Sequence, residues 1–274
     1  MLRIIGEKIN GTRKRVAAAI EARDAAFIAS LAQRQVAAGA HWIDLNAGTH
    51  PDREVADLAW LVETVQAAVD SPVCLDSPNP LALEAALALT RRTPLINSIT
   101  GEPARLDGIL RLVRESGADV IVLGMGARGM PATAEDRMTV LRELVAVTRG
   151  EGITDDRLFL DPLIMTVATN TQAAMIALET IRQVRAEFPD AHISCGLSNV
   201  SFGLPERGLI NRTFLGLAVS AGLDTAILDP LDRGLIAALT ATELLLGQDR
   251  HCLRYTRAYR AGLLEAGPTP TPSV

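Results

Sequence analysis

AGAHWIDL at 38–45, SGADVIVL at 116–123 and AGLDTAIL at 221–228 repeat one local design. In each, a glycine closes a helical pattern, a small or aliphatic residue follows, and an apolar run begins. Glycine takes the left-handed conformation that ends a helix at no steric cost. Each phrase therefore reads as a helix stop followed by a strand start. The echo marks a βα unit used repeatedly along the chain, not a recent duplication.

Working outward, the same alternation fills the sequence. Strand-like runs fall at Leu2–Ile5, His41–Leu45, Val73–Asp76, Leu95–Asn97, Asp119–Leu123, Leu158–Asp161, His192–Cys195 and Thr225–Leu228. Between and after them lie helical stretches at 24–38, 54–69, 80–90, 104–116, 134–149, 171–187, 212–221 and 234–246, with apolar residues at i, i+3, i+4 and i+7. Asp24 is placed to cap the first of these, and 13–22 reads as an additional helix ahead of it. Eight strand–helix units fit a closed parallel barrel better than an open doubly wound sheet. The expected fold is α/β, a single (β/α)8 TIM barrel over 1–265. A Pro-rich tail, 266–274, lacks an apolar stripe and is expected to be disordered.

Composition agrees with one large core. The 274 residues are 48% hydrophobic and 22% charged, with a formal net charge of −5. The clustered basic excess of a nucleic-acid binder is missing. The run Arg13-Lys14-Arg15 reads as a solvated helix start. No secretory signal and no membrane-spanning apolar stretch is visible. Cys74, Cys195 and Cys252 are far apart and form no CxxC pair, which suits a reducing, cytoplasmic setting.

In such barrels chemistry sits at the C-terminal ends of the strands. Those ends are polar here. The first strand runs into Glu7 and Asn10, and the second ends in Asp44 and Asn46. The others supply Asp76, Asn97, Asp161, the run Gly196-Leu197-Ser198-Asn199, and Asp229. Any one such Asp or Asn is ordinarily a turn or cap residue; together they describe a mouth of carboxylates and amides. No HxH or HExxH occurs, and His41 and His192 begin strands, so no metal site is expected. Only Lys8, of the two lysines, lies near a strand end. Gly124-Met-Gly-Ala-Arg-Gly129 matches GxGxxG, but the following helix starts near Thr133 and no acidic residue ends the next strand at the dinucleotide spacing. It reads as a mobile loop. Carboxylates and amides without metal or lysine suit a planar heterocycle with a 2-amino-4-oxo edge. A reduced pterin fits, and more loosely a guanine.

The motifs IGEKING (5–11), DLNAG (44–48), CLDSPN (74–79), LINSITGE (95–102), LDPLI (160–164), GLSNVSFGLPERGLINRTFL (196–215) and GLDTAILDP (222–230) resemble the pterin-binding methyltransferases. The likeness is closest to the methyltetrahydrofolate:corrinoid/iron-sulfur protein methyltransferases and covers residues 2–250. It implies transfer of a methyl group between N5 of tetrahydrofolate and the cobalt of a corrinoid. It also implies that Asp76, Asn97 and Asp161 hold the pterin ring. Gly196 and Ser198 would line the pocket, Asn199 would approach N5, and Arg207 would lie near the folate. Asp44, Asn46 and Glu7 are added as substrate-binding candidates from their strand-end positions. The family's members are homodimers, and the same is expected here. No DxHxxG cobalamin motif occurs, so the corrinoid is expected on a separate partner protein. The sequence departs from the family at DSPNP (76–80) and GMGARGMP (124–131). One rival is a dihydropteroate synthase, whose Ser-Arg-Lys and Thr-Arg-Pro-Gly signatures are replaced by Ser198-Asn-Val and Gly48-Thr-His-Pro. A non-catalytic folate-binding subunit is the other.

Overall fold

The computed structural model describes residues 1–264 except Arg128, and only the backbone of Ala104. The tail expected to be disordered lies outside the described residues. Strands β1 (Arg3–Asn10), β2 (Trp42–Asn46), β3 (Val73–Asp76), β4 (Leu95–Ile99), β5 (Asp119–Leu123), β6 (Leu158–Asp161), β7 (His192–Ile193) and β8 (Thr225–Leu228) run parallel in the order β7-β6-β5-β4-β3-β2-β1-β8. The ring closes between β7 and β8, where Ile227 N–H donates to the Cys195 carbonyl at 2.8 Å and Gly196 bridges to Ile227. The expected barrel is present.

Around it pack α1 (Lys14–Glu21), α2 (Ala25–Ala37), α3 (Pro51–Ala68), α4 (Pro80–Leu87), α5 (Pro103–Ser116), α6 (Ala134–Gly150), α7 (Ala173–Glu187), α8 (Arg207–Ala221), α9 (Arg233–Leu245) and α10 (Leu253–Arg260). Asp24 caps α2 through the Phe27 N–H at 3.0 Å. Gly39, Gly117 and Gly222 all take positive φ, as the repeated phrase predicts. The GxGxxG stretch leads into α6, capped by Thr133 in a reciprocal box with Asp136.

Strand side chains alternate faces, and that alternation divides the apolar residues into two bodies. Ile4, Ile43, Leu75, Ile96, Val120 and Leu160 face outward and pack under the helices. Ile5, Cys74, Leu95, Ile121 and Phe159 form a separate cluster inside the barrel, joined by Trp42 and Ile227. Below this inner layer the barrel is plugged. Arg3 lies over Trp42 and Phe159 at 5.6 and 5.0 Å, Trp42 meets Phe159 edge-on, and the His192 ring lies tilted against Phe159 at 4.8 Å. His41, whose Nδ1 accepts from Ile4 N–H, and His192 are thus structural, as expected from their positions.

Several boundaries differ from the sequence expectation. β7 is two residues, not four, because the chain turns at Gly196 into a 3-10 turn, Leu197–Ser201. α8 begins at Arg207 instead of 212, and α10 was not expected. β1 does not end at Ile5. It continues to Asn10 with a register shift between Gly6 and Ile9. At that irregularity the buried Gln35 side chain accepts from Lys8 N–H at 3.0 Å. A Cβ on Gly6 would stand 2.6 Å from the same Gln35 oxygen. Gly6→Ala is therefore expected to push Gln35 off the Lys8 amide and cost about 1–3 kcal/mol. Urea unfolding monitored by circular dichroism checks this, and an unchanged midpoint would show that the bulge does not depend on Gln35.

Candidate active site

Two residues further along β1, β2, β3, β4 and β6, above the apolar inner layer, the same inward parity brings up Glu7, Asp44, Asp76, Asn97 and Asp161. Asp76 and Asn97 are direct partners on β3 and β4, and Asp161 on β6 pairs with Leu123 of β5. Asn46 donates to the Asp76 carboxylate at 2.8 Å. The Cys74 thiol and the Asn97 side chain lie beside the Asp44 carboxyl. Glu7 is held by Arg13 at 2.9 Å. The run 13–15 is thus not simply a solvated helix start: Arg13 reaches into the mouth.

The loops behind these groups are braced. Ser77 donates to the buried Glu54 at 2.6 Å and accepts from Asn79 N–H, which fixes the turn after Asp76. The Leu163 N–H donates to Asp161 at 2.8 Å, and the Gly196 amide also faces that carboxylate. Arg137, on α6 and buried, donates to the Pro162 carbonyl at 2.9 Å and places its charge behind Asp161.

Burial over a dry layer has an electrostatic consequence. An ionised carboxylate taken from water is destabilised unless paired. Asp44 is 2% exposed, and burial, with Asp76 beside it, holds its carboxyl well above the usual range. Its Oδ1 meets no donor among the described residues. Burial raises Asp76 too, against the hydrogen bond from Asn46. It raises Glu7 against the charge of Arg13. Asp161 is pushed up to about 7 by burial, against the Leu163 amide and Arg137. In this set of desolvated carboxyls Asp44 Oδ1 is an acceptor without a donor, which a ring carrying N–H and NH2 groups on one edge would supply.

The GLSN segment follows β7, beside Asp161 and across the barrel from Asp76 and Asn97 on β3 and β4. Asn199 is exposed on the 3-10 turn, and its backbone N–H bonds the Gly196 carbonyl. Its side-chain amide lies over Gly196, where any Cβ would stand 2.9 Å from Nδ2. Only glycine leaves the amide that position. Arg207, from the start of α8, donates to the Ser198 carbonyl at 2.7 Å and to Ser201 Oγ at 3.0 Å. It pins the turn that carries Asn199.

The pterin-binding enzyme family model matches residues 6–229. The chain belongs to the pterin-binding enzymes. It is 38% identical to the methylcorrinoid:tetrahydrofolate methyltransferase of Eubacterium limosum over 261 residues, 94% of this chain and 96% of that protein. It is 30% identical to the methionine synthase of Mycobacterium tuberculosis over 82% of this chain but only 20% of that longer protein. Among solved structures it is similar to dihydropteroate synthases from Xanthomonas albilineans in complex with 7,8-dihydropteroate (TM-score 0.69, 20% identity, 89% and 93% of the two chains) and from Yersinia pestis with a pterine-sulfa conjugate (TM-score 0.68, 18% identity, 90% and 93%). Those likenesses establish the shared barrel.

Two features of this pterin-binding enzyme were not read from its sequence. The β1 irregularity lets the consecutive Glu7 and Lys8 both serve the mouth, with Lys8 reaching Asp229 at 2.6 Å. The buried Arg137 behind Asp161 was also missed, although an arginine among Met138, Leu141 and Leu144 on an apolar helix face was a visible signal. Among the described residues no group of three or more His, Cys, Asp or Glu is arranged to hold a metal.

The raised pKa of Asp161 gives a signed expectation. A carboxyl that titrates near 7 when folded and near 3.8 when unfolded loses folding stability as pH rises through that window. Asp161→Asn keeps the shape and can still accept from Leu163. Without ligand the variant is expected to be more stable than the parent at pH 8, by roughly 2–4 kcal/mol, and equal to it near pH 3.5. Melting curves across pH check this; a constant difference at all pH values would refute the assignment.

Proposed function

We propose that this pterin-binding enzyme is a methyltransferase that moves a methyl group between N5 of tetrahydrofolate and the cobalt of a corrinoid. The similarity to the methylcorrinoid:tetrahydrofolate methyltransferase, which spans nearly the full length of both chains, carries the reading. Asp76, Asn97 and Asp161 hold the polar edge of the pterin, with Asp44, Asn46 and Glu7 completing the floor and wall. Gly196 and Ser198 line the wall beside Asp161. The corrinoid, brought by a separate protein, supplies a cobalt that accepts or donates the methyl group.

The chain's own part is positioning and charge stabilisation. A tertiary amine is a poor leaving group, and N5 changes charge as its bond to the methyl breaks or forms. Asn199 carries no titratable proton. Its amide turns either a donor or an acceptor toward N5, whichever form arises, and its bond strengthens as charge develops. Gly196 and Arg207 hold that amide in place before the reaction. A dihydropteroate synthase would also need an anchor for pyrophosphate; at the strand-seven position this chain offers Ser198-Asn-Val.

Asn199→Ala is expected to slow single-turnover methyl transfer between methylcobalamin and tetrahydrofolate by about 10²-fold or more. Methyltetrahydrofolate binding should fall much less. Equal losses in both would make Asn199 a binding residue only.

Asp76→Ala is expected to do the opposite. Calorimetry should show affinity for methyltetrahydrofolate weakened tenfold or more, since charge-assisted hydrogen bonds are worth about 1.5–3 kcal/mol. Unchanged affinity would remove Asp76 from the pocket. The protein is also proposed to be a homodimer, so light scattering at micromolar concentration should give twice the chain mass.

A further inference from the structure

A groove of about 920 Å³ opens beside the mouth, between α1 and α2 on one side and the first turns of α8 and α9 on the other. Its inner end is formed by Lys8, Asp229 and Arg207, next to the GLSN turn. Its floor includes Val16, Phe27 and Leu31. Seven basic residues line it against three acidic ones, in a chain whose net charge is −5.

Ion pairing does not use up that charge. Lys8 pairs with Asp229, Arg13 with Glu7 and Arg212 with Asp232. Arg15, Arg34, Arg207 and Arg233 meet no carboxylate among the described residues. Arg15 lies over the Phe27 ring at 4.9 Å, Arg207 bonds the Ser198 carbonyl, and Arg233 bonds the Gly262 carbonyl. The helices α8 and α9 start on the groove, at Arg207 and Arg233, and helix starts favour anions. These arginines come from four different helices, α1, α2, α8 and α9. Such an arrangement suits a flexible chain of separated carboxylates better than a compact anion.

Resting on the reading of the mouth as a folate site, we propose that the groove binds the tail of the folate in its oligo-γ-glutamyl form. The p-aminobenzoyl ring leaves the mouth past Arg207 and lies on the apolar floor. The carboxylates of the second and later glutamates pair with Arg15, Arg34 and Arg233. The groove selects folates by tail length, and the deep carboxylates select the ring.

The test compares methyltetrahydrofolate carrying one glutamate with the same compound carrying five γ-linked glutamates, by calorimetry at low ionic strength. Exposed ion pairs are individually weak and salt-screened, so several together are expected to give the pentaglutamate about tenfold tighter binding, lost at high salt. Arg15→Gln combined with Arg34→Gln should abolish the preference and leave monoglutamate affinity unchanged. Equal affinity for both compounds in the parent protein would overturn the proposal, and so would a preference that survives in the double variant. So would a double variant that keeps its preference but fails to exchange methyl groups with a corrinoid protein, which would give the groove to that partner. Failure of the monoglutamate itself to bind would instead strike the folate reading.

Discussion

The alternation of side chains along parallel strands is the constraint on which the molecule rests. It gives each strand one inward face, and the inward residues change character with height. Arg3 and His192 close the bottom against Trp42 and Phe159, which with Ile5, Cys74, Leu95 and Ile121 fill the middle, and carboxylates and amides stand at the top. The top layer therefore lies against hydrocarbon on one side and the entrance on the other. That placement, not any one neighbour, raises Asp44, Asp76 and Asp161 above ordinary carboxyl behaviour. A site of this kind sacrifices stability for acceptors that are already desolvated and aimed before the ligand arrives.

Much of this was legible because it is local. The glycine stops, the Asp24 cap and the polar strand ends depend on residues adjacent in sequence, and an inward parity extends from an apolar residue to the acid two positions on. What was missed depends on distant partners. The shift in β1 needs Gln35, delivered by α2. The early start of α8 was hidden by Pro205 and Gly208, which weaken helical periodicity. α10 is held by Asp249, which accepts from the Arg254 and Tyr255 amides, and by Arg254 pairing with Glu243 on α9. The roles of Arg13 and Arg137 emerged only when the fold set them against Glu7 and Asp161.

The formal charge of the chain also conceals how its charges are sorted. Acidic groups occupy the deep mouth, where the ring of the proposed ligand presents donors. Basic groups line the flank, and Lys8 with Asp229 marks the seam between the two. A net figure near neutrality for the size of the protein is thus compatible with two adjoining fields of opposite sign.

The plug at the base has a kinetic meaning. Arg3 over two aromatic rings, tied to Asp224 at 3.4 Å, leaves the barrel as a well with one opening. Two reactants that share one opening must queue. On the proposed reading, the pterin occupies the depth and the much larger corrinoid protein can only cover it. The folate must therefore enter before its partner docks and leave after the partner departs, so a geometry set by the strands fixes the order of addition and release.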